Sequence, residues 1–295
     1  MTARLLEGKP VAEKIRERLR ARVEDLKSSG VVPCLATVLV GDDPASQSYV
    51  RGKEKACAKL GIATKSFTPS PDISLDELLG LVKELNVDPE VHGILVQLPL
   101  PGDLDEAKVT MAIDPAKDVD GLHPVSLGKL LSGKPGFVSC TPHGIQVMLI
   151  EYGIEIEGKD IVIVGRSNIV GKPLANLLIQ KAAGANATVT LCHTRTRDLA
   201  AHTRRADILV VAAGRPGIVT ADMIRPGGVV VDVGVNRVPD DSRERGYRLV
   251  GDVDFKAAVE VASAITPVPG GVGPLTITML LSNTVQAAAE ISAGS

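Results

Sequence analysis

Lys159-Asp-Ile-Val-Ile-Val-Gly-Arg-Ser-Asn-Ile-Val-Gly-Lys-Pro173 decides how this chain folds. Its order is a strand, a glycine turn and a helix start. The unbroken apolar run Ile161–Val164 suits a parallel strand covered on both faces. Gly165 permits a sharp turn, and Gly171 falls where the next helix packs closely on the sheet. The first N–H groups of a helix have no partner within it, so this corner offers donors to a pyrophosphate. Ser167 stands where the usual G-x-G-x-x-G pattern has its second glycine. By itself the loop therefore fits a nucleotide site and also a plain strand–turn–helix corner.

Outward from this loop the alternation of strand and helix continues. Further strands are expected at Thr188–Cys192, Ile208–Ala212, Val229–Val233 and Ser263–Ile265. The stretches ending Ala213-Gly214 and Gly234-Val235 repeat the pattern of a strand closing on glycine. Ligands of open α/β sheets bind at such carboxyl ends, where glycine allows close approach. Upstream lie an expected amphipathic helix over 9–29, a strand Cys34–Val40, a helix over 45–60, a helix Ser74–Glu84 and a strand Val91–Gln97. Such alternation defines a parallel α/β architecture. The Pro- and Gly-rich passage 115–142 interrupts it and reads as a domain junction. A final helix, about Leu275–Ile291, carries Leu275, Met279, Ser282, Val285 and Ala289 on one stripe, which must pack against something.

Composition narrows the class. The chain has 295 residues, enough for two domains. Three Phe, three Tyr and no Trp leave an aliphatic core. A net charge of −2 with no basic block argues against nucleic acid. No apolar run approaches membrane-spanning length, and the N-terminus lacks a signal-peptide core. Cys34, Cys57, Cys140 and Cys192 are far apart and read as buried reduced thiols, so the cytoplasm is the expected compartment. The five histidines show no metal-ligand spacing.

About 20 positions beyond the glycine loop, a dinucleotide fold meets the adenosine ribose. Here the segment is Cys192-His-Thr-Arg-Thr196. It has no carboxylate for a free 2′-hydroxyl, whereas Arg195 offers a guanidinium to a 2′-phosphate, and Arg166 in the loop offers another. This favours NADP over NAD; two solvated surface arginines are the plainer alternative.

The helix at 45–60 holds the sharpest chemical feature. Tyr49, Val50, Ala56, Cys57 and Leu60 share a face, with Lys53 in its middle, while Arg51, Lys55 and Lys59 form a separate row. A desolvated Lys53 has a lowered pKa and an amine available for proton transfer. A lysine that snorkels to water has neither. Gln97, at the end of its strand, is placed to bond a lysine or ligand, or else only loop carbonyls. Asp118 and Asp120 are candidates for holding a polar heterocycle, and equally for forming a turn.

Tyr49-Val-Arg-Gly-Lys53, Gly93-Ile-Leu-Val-Gln-Leu-Pro-Leu-Pro101, Lys117-Asp-Val-Asp-Gly121, Gly165-Arg-Ser-Asn-Ile-Val-Gly-Lys-Pro173 and Thr266-Pro-Val-Pro-Gly-Gly-Val-Gly-Pro274 occur in that order. Over residues 3–290 the chain closely resembles the bifunctional methylenetetrahydrofolate dehydrogenase/methenyltetrahydrofolate cyclohydrolases. The resemblance implies two domains around a cleft: a folate-binding catalytic α/β domain of residues 1–140 and 275–295, to which the C-terminal helix returns, and a Rossmann-type NADP-binding domain of residues 141–274. It implies oxidation of 5,10-methylenetetrahydrofolate by NADP, hydrolysis of the methenyl product to 10-formyltetrahydrofolate, and a homodimer formed through the cofactor domains. It makes Lys53 the general acid/base, positioned by Gln97, with Tyr49 stacking on the folate and Asp120 holding the pterin. Val96, Leu98, Pro269, Gly270 and Gly271 then line the folate side, and Gly165, Arg166, Ser167, Thr194, Arg195 and Val235 contact NADP. Two positions depart from the family: Ser139 stands for a usual proline and Ser126 for a common asparagine. Both lie near the expected junction, where they bear on cleft opening more than on chemistry.

Short-chain dehydrogenases also carry a Tyr-x-x-x-Lys pair, but theirs follows the glycine loop. Here the pair precedes the loop by more than 100 residues. A protein with only one of the two activities, or a non-catalytic NADP sensor, remains as an alternative that turnover assays separate.

Overall fold

The computed structural model describes residues 2–243 and 246–294. Its strands, in chain order, are β1 (Arg4–Leu5), β2 (Cys34–Val38), β3 (Ala63–Phe67), β4 (Gly93–Val96), β5 (Asp160–Val164), β6 (Thr188–Cys192), β7 (Ile208–Val211), β8 (Val229–Asp232), β9 (Asn236–Pro239), β10 (Tyr247–Val250) and β11 (Ala264–Ile265). The chain divides into two compact units. One joins the residues up to Glu13 to Thr141–Thr276; the other joins Lys14–Cys140 to the segment from Ile277 onward.

The first unit is built on a six-stranded parallel sheet in the order β1-β11-β8-β7-β5-β6. Ile161–Val164 are all buried, as a strand covered on both faces requires. The chain leaves β5 for β6 on one side, then crosses back to β7 on the other. That reversal opens a crevice at the carboxyl end of β5, the usual ligand position in such sheets. β9 and β10 pair as a separate antiparallel hairpin.

One expected boundary differs. Residues 2–13 were expected with the catalytic half, but β1 extends the six-stranded sheet by pairing with β11. Two residues without an apolar run leave no strand signal in the sequence.

The second unit has a three-stranded parallel sheet, β3-β2-β4. Every residue of β2 and β4 is buried. Ala36, Val38, Ile94 and Val96 pack with Leu78, Val82, Leu85, Val109 and Ile113 in one aliphatic core. The helix Leu75–Val87 starts on a capping box, with Ser74 and Glu77 bonded reciprocally. Lys117, buried, donates to the carbonyls of Leu85 and Asp88 at that helix's end, at 3.1 and 2.8 Å. A cation there also suits the negative end of the helix dipole. From Ile277 onward the last helix, Gly273–Ala293, belongs to this unit.

Candidate functional site

In the second unit, the helix Pro44–Leu60 presents Lys53. Asp43 caps its start by accepting from Ser46 N at 2.7 Å, and Gly61 ends it in the left-handed region at φ 74°. Between those caps Val50, Ala56, Cys57 and Leu60 are buried, and Lys53 among them is only 6% exposed. Arg51, Lys55 and Lys59 stay in water. Tyr49, expected on the buried face, is 45% exposed, so its ring is available to a ligand.

Gln97 closes on Lys53 from the carboxyl end of β4. Its backbone N–H continues the ladder to Val38 O at 2.8 Å, which fixes where the side chain begins. Lys53 Nζ donates to Gln97 Oε1 at 3.0 Å, and Gln97 Nε2 donates to Leu98 O at 2.7 Å. The amine also lies 5.2 Å from the Tyr49 ring centroid. Burial lowers the Lys53 pKa, with the nearby Asp120 charge opposing. Burial raises that of Asp120, with Lys53 and the Cys140 thiol opposing. Both shifts move the pair toward neutrality, the condition in which an amine can accept a proton and a carboxyl can donate one.

The two aspartates of Lys117-Asp-Val-Asp-Gly121 have separate tasks. Asp118 is buried and accepts from Leu122 N, His123 N and Ser126 Oγ at 3.2, 2.9 and 2.6 Å. It is the turn former. Asp120 is half-buried beside Lys53. Gly121, at φ +70°, packs so tightly on Val138 and Ser139 that a side chain would collide with their backbone. Ser139 Oγ donates to Gly121 O at 2.7 Å. Ser126 and Ser139 therefore both brace the loop that delivers Asp120, a more local role than the expected one. Asn283, on the last helix, donates to Val119 O at 2.8 Å and Val138 O at 3.1 Å. Nothing in the helix stripe singled it out. Val96 is buried and Leu98 half-buried beside Gln97.

In the sheet unit, Gly165 lies at φ +124°, and a Cβ there would overlap Ala212 O. A Cβ at Gly171 would overlap Gly165 O, so both glycines are required by close backbone approach. The helix Gly171–Leu178 has no side-chain cap. Lys172 N donates to Ser167 O at 3.1 Å and Pro173 has no N–H, so among the described residues Gly171 N is the first-turn amide left for a ligand. Ser167 Oγ accepts from Val170 N at 3.0 Å and so shapes the loop where a second glycine is missing. Thr194 and Arg195 occupy an exposed turn after β6, held by His193 N donating to Thr196 Oγ1 at 2.8 Å. Among the described residues neither the Arg166 nor the Arg195 guanidinium has an ion-pair partner. Val235 is exposed just beyond β8. A glycine cradle, the Gly171 amide and two cations without an ion-pair partner among the described residues fit a phosphorylated dinucleotide. Pro269, Gly270 and Gly271 follow β11 in this same unit, with Gly8 N donating to Gly270 O at 2.8 Å.

Sequence reading missed two buried carboxylates here. Asp232 ends β8 and accepts from Gly234 N, Asp252 N and Val253 N at 3.0, 2.9 and 2.9 Å. Asp252 accepts from Ala213 N, Gly214 N and Asn236 Nδ2 at 2.7, 2.8 and 2.8 Å. Burial holds the Asp232 pKa up at about 6; its amide donors pull it down and the Asp252 charge adds to the rise. An aspartate inside the valine run 229–233 was the available signal.

A parallel sheet with a dinucleotide-type glycine loop in one unit and a buried lysine in the other fit a two-domain α/β protein of the oxidoreductase class. Residues 6–120 match the tetrahydrofolate dehydrogenase/cyclohydrolase catalytic domain, and residues 139–292 match the NAD(P)-binding domain of the same family. The chain belongs to the tetrahydrofolate dehydrogenase/cyclohydrolase family. It is 56% identical to the bifunctional protein FolD of Syntrophus aciditrophicus, over 100% of both chains. The solved bifunctional FolD, a methylenetetrahydrofolate dehydrogenase/cyclohydrolase from Campylobacter jejuni, is 49% identical with a TM-score of 0.91, over 97% of this chain and 98% of that one. The Trypanosoma brucei enzyme complexed with NADP cofactor and inhibitor is 40% identical with a TM-score of 0.93, over the whole of both chains.

Proposed function

We propose that Lys53 is the acid–base group of the hydrolytic reaction and that Gly165–Ser167, Thr194, Arg195 and Val235 seat the cofactor. The enzyme is bifunctional: it oxidises 5,10-methylenetetrahydrofolate with NADP and hydrolyses the 5,10-methenyl product to 10-formyltetrahydrofolate. Bound NADP supplies the hydride acceptor.

The observation that carries the assignment is the burial of Lys53 together with its bond to Gln97. The methenyl substrate is a cation, and its charge further disfavours an ammonium beside it. A neutral Lys53 amine takes a proton from the attacking water and returns one to the ring nitrogen that leaves. Gln97, oriented by Leu98 O, holds that amine in place. Tyr49 offers its exposed ring to the folate, and Asp120 offers a carboxyl to the pterin nitrogens. Val96 and Leu98 are the further folate contacts in the Lys53 unit that the family resemblance implies. Arg195, assisted by Arg166, pairs with the 2′-phosphate that separates NADP from NAD.

The four buried free cysteines suit a reducing cytoplasm. A homodimer joined through the cofactor-binding units is the assembly that the resemblance supports, and light scattering at micromolar concentration tests it. The deciding functional experiment assays methylene-folate oxidation with NADP and with NAD, and methenyl-folate hydrolysis separately, on the purified chain. Turnover in both with a preference for NADP is expected. Loss of either activity in the pure protein refutes the bifunctional assignment.

A further inference from the structure

Asp232 and Asp252 form a reciprocal arrangement in the sheet unit. Asp232, 3% exposed, receives the backbone N–H groups of Asp252 and Val253. Asp252, fully buried, receives those of Ala213 and Gly214 and the side-chain amide of Asn236. The first carboxylate thus fixes the backbone that carries the second. Glycines make room for both: a Cβ at Gly251 would overlap the Asp232 carboxylate, and one at Gly234 would overlap that of Asp252. Thr266 ties the pair to β11, since Asp232 N donates to Thr266 Oγ1 at 2.7 Å and that hydroxyl donates to Asp232 O at 3.1 Å.

The loops held in this way are those at the carboxyl ends of β7 and β8. Ala212 O is the atom against which Gly165 packs, and Ala213 and Gly214 follow it directly. Val235 lies between Gly234, whose N–H Asp232 accepts, and Asn236, whose side chain Asp252 accepts. Among the described residues neither carboxylate has a cationic partner; each is taken up by amide donors. A carboxylate that accepts several amides fixes them in one geometry, and charge-assisted bonds of this kind are about twice as strong as neutral ones.

We propose that Asp232 and Asp252 are positioning residues for NADP, a carboxylate latch that sets the Ala213–Gly214 and Gly234–Asn236 loops before the cofactor arrives. The proposal rests on the reading of Gly165–Ser167, Thr194, Arg195 and Val235 as the cofactor seat. The latch contacts backbone, not cofactor, so its effect falls on NADP affinity. An Asp252→Asn change keeps the shape but replaces one acceptor oxygen with a donor facing other donors.

The test combines kinetics on the variant with residue-resolved amide exchange on the unaltered protein. In Asp252→Asn the KM for NADP is expected to rise at least tenfold, with a smaller fall in kcat. Cyclohydrolase turnover, assayed without NADP, stays within twofold and reports that the chain is folded. A KM for NADP within twofold of the parent overturns the latch. Should Asp252→Asn not fold, Asn236→Leu removes one arm only; a KM raised about threefold supports the latch and an unchanged KM overturns it. In the unaltered protein, Ala213 and Gly214 amides are expected to be protected before NADP is added. Protection that appears only with NADP overturns pre-setting. NADP-induced changes at Gly165–Ser167, Thr194 and Val235 verify the seat independently of the variants. Their absence overturns the seat and the latch together, whereas their presence with a normal KM in Asp252→Asn overturns the latch alone.

Discussion

Lys53 Nζ donates to Gln97 Oε1 at 3.0 Å, and the same amide is anchored by its own donation to Leu98 O at 2.7 Å. The acceptor facing the buried amine is therefore neutral and cannot swing away. A carboxylate in its place would be an anion within hydrogen-bond distance of Lys53, and such neighbours raise a lysine pKa by about 1–3 units. Gln97→Glu is expected to shift the pH–rate profile of the cyclohydrolase to higher pH by that amount and to depress the rate at neutral pH. A profile that does not move separates Gln97 from the titration of Lys53.

Lys53→Met removes the amine and keeps an unbranched side chain of similar length. A positioned acid–base group contributes about 10²–10⁴-fold to rate. A fall of that size in methenyl-folate hydrolysis is expected, with NADP binding unchanged by fluorescence titration. Near-normal hydrolysis removes Lys53 from its role.

The same substitution makes a signed prediction about stability. Burial lowers the Lys53 pKa in the folded chain below its ordinary 10.5. Between the lowered value and 10.5 the unfolded chain binds the extra proton, so the Lys53 contribution to stability rises with pH across that window. Subtracting the Lys53→Met melting curve from that of the parent cancels the other titrating groups. The difference is expected to move in the parent's favour as pH rises toward 10.5; a flat difference means that Lys53 titrates alike in both states.

Much of this was legible in the sequence because apolar runs and helical spacing report burial directly. Ile161–Val164 and the two rows of the Lys53 helix have that property, and both emerge as read except for Tyr49, which is exposed. β3 was missed because it is a half-exposed edge strand, Ala-Thr-Lys-Ser-Phe, without an apolar run. The separate tasks of Asp118 and Asp120 were also hidden. Two aspartates two positions apart look alike in one dimension, and only the turn decides which receives Ser126 and which approaches Lys53. Asp252 and Asn283 act through contacts 38–39 and 145–164 positions away, which no local pattern encodes.

Arg195 tests the cofactor assignment. Its guanidinium is exposed on the turn after β6 and has no ion-pair partner among the described residues. Hydrogen bonds to a charged group contribute about 1.5–3 kcal/mol. Arg195→Ala is accordingly expected to weaken NADP by roughly 10–150-fold and NAD by far less, measured as separate KM values. Equal weakening of both cofactors moves the 2′-phosphate elsewhere.

Asn283 tests whether the last helix supports the Asp120 loop. Its amide serves two carbonyls, those of Val119 and Val138, and its side chain is buried. Asn283→Leu keeps the approximate volume but leaves Val138 O without a donor and Val119 O with only the weak Cys140 thiol at 3.4 Å, at about 1–3 kcal/mol for a buried unsatisfied group. A melting temperature several degrees lower is expected. If the carbonyls only needed pairing for stability, activity below the transition would be normal. Because Val119 directly precedes Asp120, the loss should instead extend to folate: KM for the methenyl substrate rises while KM for NADP stays unchanged. Asn283→Gln retains the donor at a longer reach and should recover part of the folate affinity. Identical folate kinetics in the leucine variant and the parent confine Asn283 to stability alone.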